Sequence, residues 1–306
     1  MINETVVRER YLRLGEKFPL RLSHWELRTS WLTFDRPCFM GILNVTPDSF
    51  SDGGQFFSPQ KGVDHALQLI DDGALILDIG GQSTRPGAKE VSVSEELRRV
   101  LPILQKLKTI TKIPLSIDTS KPEVAKEALE AGADIINDVT GFASEKMCQV
   151  VADYLPGVCV MHMQGAPETM QKAPTYNEVV SEIEMFLREQ VDKLVRYGLE
   201  REQICIDVGL GFGKTLDHNL ELITRLGEFH CTGQPLLVGH SRKSYLGKLL
   251  GTQDNPKARE MATLTATLAM LHQGVQIFRL HNVKAAKEGV DIYLTHLGDL
   301  ASPNDP

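Results

Sequence analysis

The chain has 306 residues, of which 42% are hydrophobic, and its 33 basic and 40 acidic side chains give a formal net charge of −7. This composition can build a large core, while the acidic balance disfavours a nucleic-acid partner and no apolar run is long enough to cross a bilayer. Five scattered cysteines without zinc-like spacing indicate reduced thiols, and the charged N-terminus lacks a signal-peptide core, so we expect a cytoplasmic protein.

Short apolar runs recur along the chain, and each leads to a polar residue. These polar positions are Asn44, Asp78, Asp118, Asn137, His162, Asp207, the segment Ser241–Lys243 and the segment Arg279–His281. Continuous Val/Ile/Leu runs are typical of parallel strands buried on both faces, and helix-like segments separate most of them. The alternation predicts an α/β fold, a (β/α)₈ TIM barrel, whose polar strand ends meet at one face.

We expect one barrel domain over residues 37–298, because neither a low-complexity linker nor a second-domain signature interrupts the alternation. Residues 1–36 do not fit it and are predicted to form an N-terminal extension, an extra strand pair that covers the barrel floor. Residues 299–306 read as a frayed tail.

Two helix starts carry a cap signal. Ser92 with Glu95, and Ser120 with Glu123, have the spacing of a capping box. A longer helix ending near Gly198 is predicted from a regular apolar face, formed by Val180, Ile183, Leu187, Val191 and Leu194.

The first strand leads into Asn44–Gly54, a segment of small polar residues, Pro and Gly, with Phe50 between two serines. Such residues favour turns, so an ordinary turn is one interpretation. A turn leaves the aromatic side chain unexplained, whereas a long βα loop that folds over a ligand accounts for both. We therefore interpret the segment as a ligand-covering loop.

The middle strands are followed by residues that can bind polar ligands. In Asp78–Gly87, paired glycines allow a close backbone approach, and Ser, Thr and Arg side chains can bind an anion. Asp118, Asn137 and Asp207 could each merely cap a helix. Together at strand ends, they suit a flat heterocycle with a donor–acceptor edge.

Cationic residues follow the last two strands, where (β/α)₈ barrels usually bind phosphate. They are Arg242, Lys243, Arg279 and the adjacent His281. The planar donor groups of arginine match phosphate oxygens. A salt-bridge network is the other interpretation, but it would need fewer cations than this cluster contains. The Gly-rich segment 207–214 adds an aromatic side chain, Phe212.

Five segments resemble the dihydropteroate synthases: Gly41–Gly54, Ser83–Ala88, Ser116–Lys121, Met161–Gly165 and Ser241–Ser244. The resemblance spans residues 39–297, and its first segment is the most specific. It implies a transferase that condenses 6-hydroxymethyl-7,8-dihydropterin pyrophosphate with p-aminobenzoate in folate biosynthesis and is a target of sulfonamides. It also implies a TIM barrel, Mg²⁺ as cofactor and a homodimer, with small-molecule substrates as the other partners.

The resemblance also implies a set of site residues. The pterin would contact Thr84, Asp118, Asn137, Met161, Asp207 and Lys243. The pyrophosphate would contact Asn44, Arg85, Arg279 and His281, with Asn44 also binding the metal. The p-aminobenzoate would contact Phe50, Pro86, Phe212 and Ser241. The catalytic residues would be Asp118, Lys243, Arg279 and His281.

Four positions depart from the family pattern: Gln82, Val208, Leu210 and Asn282. None removes an implied ligand contact, but a low-activity or non-catalytic pterin-binding paralogue is an alternative interpretation. Another is a pterin-binding methyltransferase with a corrinoid partner, which shares the barrel but needs neither Asn44–Gly54 nor Ser241–Lys243. A pyrophosphate-release assay separates these interpretations.

Overall fold

The structure is a computed structural model that describes residues 2–46, 59–84, 87–88, 90–166, 169–252 and 255–297. The predicted frayed tail, 299–306, lies outside these residues. No helix in the described ranges combines the length and the apolar character needed to span a bilayer.

The N-terminal extension contains a helix and an antiparallel strand pair. The helix is α1 (Glu4–Gly15), and the strands are β1 (His24–Glu26) and β2 (Trp31–Thr33). The helix begins at Asn3, whose side chain accepts a hydrogen bond from the Thr5 N–H (3.1 Å). The sequence interpretation anticipated a strand pair but no helix here.

Within the described residues, eight parallel strands form a closed barrel in the order β10-β3-β4-β5-β6-β7-β8-β9. Its strands are β3 (Cys38–Asn44), β4 (Ile76–Gly80), β5 (Leu115–Asp118), β6 (Ile135–Asp138), β7 (Gly157–Met161), β8 (Ile204–Asp207), β9 (Leu236–Gly239) and β10 (Ile277–Leu280). Ile277 closes the barrel by pairing with Cys38 on one side and Leu237 on the other. The predicted (β/α)₈ barrel is confirmed.

Helices follow the barrel strands and cover the outside. They are α2 (Pro59–Asp71), α3 (Val93–Ile110), α4 (Pro122–Glu130), α5 (Glu145–Tyr154), α6 (Val179–Tyr197), α7 (Leu216–Thr224), α8 (Ser244–Leu250), α9 (Glu260–Leu271) and α10 (Val283–His296). The predicted apolar face of α6 is buried, and the helix ends at Gly198 with a φ of 109°, a backbone conformation that glycine adopts without steric cost.

One of the two predicted caps is confirmed and the other is wrong. The Ser92 hydroxyl accepts the Glu95 N–H (3.2 Å) at the start of α3. Ser120, in contrast, is not a cap, because α4 begins at Pro122 and Lys121 occupies the N-cap position. Proline is favoured at the first helical position, since its missing N–H is not needed there.

The barrel floor is an apolar layer that includes residues of the N-terminal extension. Trp25 and Leu27 pack in one cluster with inward-facing strand residues, including Met40, Ile135 and Cys205. The Trp25 indole N–H donates to the Gln203 carbonyl (2.9 Å). Four cysteines are buried free thiols, whereas Cys231 is exposed. With the floor filled, the open end of the barrel is the C-terminal rim.

Candidate active site

The C-terminal rim contains a cavity of about 470 Å³. It is lined by Ile42, Asn44, Thr46, Ser83, Thr84, Asp118, Met170, Gly211, Phe212, Gly239, Ser241, Arg242, Lys243, Ser244, Pro256, Arg259, Arg279 and His281. These residues come from strand ends and βα loops on one face of the barrel. The volume lies within the range typical of small-molecule sites.

An arginine between two carboxylates forms the base of the cavity. Arg279 donates from Nε to Oδ2 of Asp78 (2.6 Å) and from Nη2 to Oδ2 of Asp118 (2.8 Å). Asp78 is fully buried and also accepts from the Ser116 hydroxyl (2.6 Å). When both carboxylates are ionised, the trio carries a net negative charge. Such a site favours a ligand that develops positive charge.

One carboxylate oxygen of Asp118 can accept a hydrogen bond from a ligand. This Oδ1 atom is buried and has no hydrogen-bond partner among the residues that the structure describes, although the residue lines the cavity. Burial raises the pKa of Asp118 to about 7, while the neighbouring Arg279 acts in the opposite direction. Because an unsatisfied buried acceptor costs free energy, a ligand N–H directed at Oδ1 would be stabilised.

The next strand ends carry polar and apolar groups beside this carboxylate. Asn137 donates from Nδ2 to Asp78 Oδ2 (3.2 Å), and Asp207 accepts the Gly209 N–H at Oδ1 (2.8 Å). Met161 belongs to a small apolar cluster with Phe212. These three lie on the same rim but do not line the cavity formed by the described residues. Together they offer one amide, one carboxylate and one thioether at adjacent positions.

Lys243 and the Phe212 ring form another wall of the cavity. The Lys243 Nζ is 3.8 Å from the Phe212 ring centroid and donates to the Leu210 carbonyl (2.7 Å), a cation–π geometry. Burial lowers the pKa of Lys243 to about 7, and the nearby Asp207 opposes this shift. This wall therefore combines a hydrogen-bond donor with an apolar platform.

The last two strand ends supply the cationic side of the cavity. His281 Nδ1 lies 2.9 Å from the Ser241 hydroxyl oxygen, which also accepts the His281 N–H (3.2 Å). Arg242 pairs with Glu260, so part of its charge is used in a salt bridge. Arg259 lines the same side and donates from Nη1 to the Arg242 carbonyl (2.8 Å). This concentration of donors suits an anionic group such as pyrophosphate.

The structure brings most of the predicted site residues to one cavity. Asn44, Thr84, Asp118, Phe212, Ser241, Lys243, Arg279 and His281 all line it. Phe50, Arg85 and Pro86 lie outside the described residues. His162, which the strand pattern grouped with these positions, instead contacts Lys214 (Nδ1 to Nζ, 2.9 Å) and does not line the cavity.

Sequence reasoning did not assign a role to several residues of the site. Asp78 follows the strand pattern like Asp118, but its links to Arg279 and Asn137 depend on pairing between distant strands. Arg259 lies in a short 3₁₀ segment, Pro256–Arg259, that has no motif pointing to a site. Lys214 is almost completely buried, which a Gly-rich surface loop does not predict.

Comparisons with known proteins agree with this geometry. The family model described as "Pterin binding enzyme" matches residues 40–281. A dihydropteroate synthase from Escherichia coli K12 is 45% identical over 261 residues, covering 85% of this chain and 92% of the relative.

Solved structures with ligands also resemble the chain. A Yersinia pestis dihydropteroate synthase in a sulfonamide drug complex superposes with a TM-score of 0.83 at 42% identity, covering 88% of this chain and 97% of that one. A Xanthomonas albilineans dihydropteroate synthase in complex with 7,8-dihydropteroate has a TM-score of 0.79 at 38% identity, with the same coverage.

Proposed function

The chain belongs to the dihydropteroate synthase family, and on that premise we propose that the rim cavity is the site of the condensation. The reaction joins 6-hydroxymethyl-7,8-dihydropterin pyrophosphate to p-aminobenzoate and yields 7,8-dihydropteroate and pyrophosphate. The observation that carries the site assignment is the buried Asp118 carboxylate, one oxygen of which has no partner in the described part of the chain, set between a cationic side and an aromatic wall.

The pterin is assigned to the strand ends around Asp118. A pterin edge presents N–H donors beside carbonyl and ring-nitrogen acceptors, which matches carboxylates at Asp118 and Asp207 and the amide of Asn137. Lys243 supplies a hydrogen-bond donor, and Thr84 and Met161 are the remaining residues assigned to contact the pterin. This assignment gives the free Asp118 oxygen its missing donor.

The pyrophosphate is assigned to Arg279, His281 and Arg85, the last outside the described residues. Arg279 uses two of its five N–H groups on carboxylates, so donors remain for an anion. Asn44 lines the cavity with an amide side chain, and Mg²⁺ typically takes few protein oxygens, several waters and the phosphates of the substrate. Asn44 therefore fits a Mg²⁺ ion that arrives with pyrophosphate and would help neutralise the leaving group.

The chemistry follows from these positions. The bond between the pterin methylene carbon and the pyrophosphate oxygen breaks, and its electron pair leaves with pyrophosphate. The electron-rich dihydropterin ring carries the resulting positive charge, which the Asp118 carboxylate stabilises. The p-aminobenzoate amine then forms the C–N bond and loses a proton. None of these steps requires a covalent enzyme intermediate.

The p-aminobenzoate is assigned to Phe212 and Ser241, with Phe50 and Pro86 as further walls outside the described residues. Phe212 offers an apolar face for the ring, and Ser241 lies on the same side of the cavity. Sulfonamides that share the aniline shape would compete for this space.

The departures from the family pattern preserve their local interactions. The Gln82 Oε1 accepts from Lys121 Nζ (2.6 Å) and from the Val91 N–H (3.1 Å). Asn282 caps α10 by accepting the Ala285 N–H (3.1 Å). At these two positions the departing residue makes local hydrogen bonds that leave the cavity lining unchanged.

The proposed function is tested by pyrophosphate release from the pterin substrate with and without p-aminobenzoate. We expect release that depends on p-aminobenzoate and produces dihydropteroate. Absence of dihydropteroate under these conditions would contradict the proposal.

The activity should depend on pH through Asp118 and Lys243. Protonation of Asp118 as the pH falls below about 7 removes the charge that stabilises the cation, so kcat/KM should fall. Deprotonation of Lys243 as the pH rises above about 7 removes its positive charge, so kcat/KM should fall on the alkaline side as well. We therefore expect a narrow bell in kcat/KM near neutral pH. The acidic limb should disappear in Asp118→Asn, which separates it from ionisation of the pyrophosphate, and a flat wild-type profile would refute the assignment.

We expect p-aminobenzoate to bind after pyrophosphate has bound. Two of its walls come from segments rich in Gly, Ser, Asp and Pro, next to Asn44 and Thr84. The wall residues in these segments, Phe50 and Pro86, lie outside the described residues. The composition of the segments predicts few apolar anchors, so we expect bound pyrophosphate and Mg²⁺ to supply contacts that complete the p-aminobenzoate site. Calorimetry should show tight p-aminobenzoate binding only with both present. Equal affinity in their absence would exclude this coupling.

Three further assignments are proposals at the level of the whole chain. We place the protein in the cytoplasm, where its buried thiols stay reduced, and we assign residues 1–36 as an extension that closes the barrel floor. A homodimer would cover exposed apolar side chains on α7, α8 and α9, among them Leu220, Leu249 and Met261.

A further inference from the structure

The loop Leu210–Gly213, which carries Phe212, is held through its backbone carbonyls. Four successive carbonyls each accept from a side chain: Leu210 from Lys243, Gly211 from Gln171, Phe212 from Lys214 and Gly213 from Tyr176. We call this segment the carbonyl loop. Only Lys243 among these four donors lines the cavity. The other three therefore act on the loop from behind.

Lys214 is the most buried of the donors. It is 2% exposed, and its Nζ lies within hydrogen-bond distance of the Phe212 carbonyl (3.0 Å), the His162 Nδ1 (2.9 Å) and the His162 carbonyl (3.4 Å). Burial lowers the pKa of Lys214 well below its usual range, and the two carbonyls can accept from its amine in either protonation state. Lys214 thus joins the carbonyl loop to the segment that follows β7.

His162 is the ring partner of this contact and is held in place by packing. Its ring packs edge-on against Phe186, with centroids 5.0 Å apart. Burial and the adjacent Lys214 lower the pKa of His162 to about 3, so the imidazole is neutral and Nδ1 can accept a hydrogen bond. A neutral, wedged ring gives Lys214 a fixed attachment point.

The two segments joined by Lys214 are in backbone contact. A Cβ placed on Gly209 would lie 1.9 Å from the His162 carbonyl oxygen, and one on Gly213 would lie 2.3 Å from the Gln164 carbonyl oxygen. Both glycines have positive φ, which other residues rarely adopt. The carbonyl loop therefore packs closely against the segment that follows β7, and Lys214 forms hydrogen bonds to both segments.

We propose that Lys214 is a positioning residue: by binding the Phe212 carbonyl and the end of β7, it holds the Phe212 ring as a fixed wall for the aromatic amine. The inference rests on the proposed function, because it assigns the ring-facing wall to p-aminobenzoate. Lys214 itself does not belong to the described cavity lining, so we expect it to act through Phe212 and not through direct contact with the substrate. Its loss leaves the Phe212 carbonyl without its donor and frees the ring to move.

The test compares Lys214→Met with wild type. We expect KM for p-aminobenzoate, and its Kd measured by calorimetry with pyrophosphate and Mg²⁺ present, to rise on the order of tenfold, the loss expected for one buried hydrogen bond. The kcat and the Kd for free hydroxymethyl pterin should stay within about twofold. A general loss of structure would weaken both ligands together.

Lys193→Met is the matched control, because Lys193 also binds backbone carbonyls, those of Phe142 (2.9 Å) and Ala143 (3.4 Å), away from the cavity. It should leave KM for p-aminobenzoate unchanged. If Lys214→Met does not fold, Tyr176→Phe provides a milder test of whether the carbonyl loop positions Phe212. This variant removes the hydrogen bond to the Gly213 carbonyl and should raise KM for p-aminobenzoate about threefold.

Two outcomes would overturn the inference: an unchanged affinity for p-aminobenzoate in the folded variant, or equal losses for both ligands. Failure of the proposed function is distinguishable, since wild type would then form no dihydropteroate. An active wild type with an unaffected variant rejects only the role of Lys214.

Discussion

Replacing Asp118 by asparagine should lower kcat on the order of 10²–10³-fold, the typical loss for one preorganised electrostatic partner. The amide keeps the size and one acceptor oxygen, so the pterin can still bind. It lacks the charge that faces the methylene cation as pyrophosphate leaves. The loss should therefore appear in kcat rather than in the Kd for the free hydroxymethyl pterin. Steady-state kinetics and calorimetry on the same preparation give both values.

A matched control for this prediction is Asp138→Asn. Asp138 is also a buried aspartate and lies on the neighbouring strand β6, but its carboxylate accepts from Thr140 and the Phe142 N–H, and the residue does not line the cavity. It should lower the free energy of unfolding without a comparable loss of kcat. An Asp118→Asn enzyme with normal kcat and weaker pterin binding would show that Asp118 only binds.

Replacing Arg279 by alanine should damage both substrate binding and the fold. The change leaves Asp78 and Asp118 buried without their shared cation, and breaking a buried ion pair typically costs about 3–5 kcal/mol of stability. Because both carboxylates belong to the pterin side of the site, we expect weaker binding of the free pterin as well as of the pyrophosphate-bearing substrate. Thermal unfolding and calorimetry with the two ligands measure these effects.

His281→Ala provides the contrast to Arg279→Ala. His281 lines the cationic side of the cavity and contacts Ser241, so we expect its loss to weaken the pyrophosphate-bearing ligand more than the free pterin. Arg279→Lys keeps the positive charge but cannot donate to both carboxylates in the same geometry. Its stability and its affinity for the free pterin should therefore lie between those of the wild type and Arg279→Ala. Unchanged free-pterin binding in a folded Arg279→Ala variant would disprove the coupling between the guanidinium and the pterin floor.

The expectation for Arg279 shows where sequence reasoning stopped. The position at the end of the last strand predicts a phosphate contact for both Arg279 and His281. The structure adds the bonds from Arg279 to Asp78 and Asp118. Those bonds join strands β4, β5 and β10, which lie far apart in the chain. Strand patterns predict that such residues share a rim, but not which of them pair.

The fold was accessible because its signals are local and repeated. Buried parallel strands read as apolar runs, and each βα unit repeats the pattern, so one misjudged helix start such as Ser120 does not change the topology. The role of Lys214 was not accessible in the same way. A lysine after a Gly-rich segment normally indicates a solvated loop, and only the packing of that loop against His162 shows the side chain to be buried.

The measurement that tests the central claim most directly is a single-turnover experiment with enzyme in excess over the pterin pyrophosphate substrate. We expect one dihydropteroate for each pyrophosphate released when p-aminobenzoate and Mg²⁺ are present, with the rate of C–N bond formation reduced in Asp118→Asn. A non-catalytic pterin-binding protein would retain the substrate intact, and a methyltransferase would release no pyrophosphate. Either result, obtained with folded wild-type protein that binds the pterin, would contradict the assignment of the rim cavity as a condensation site.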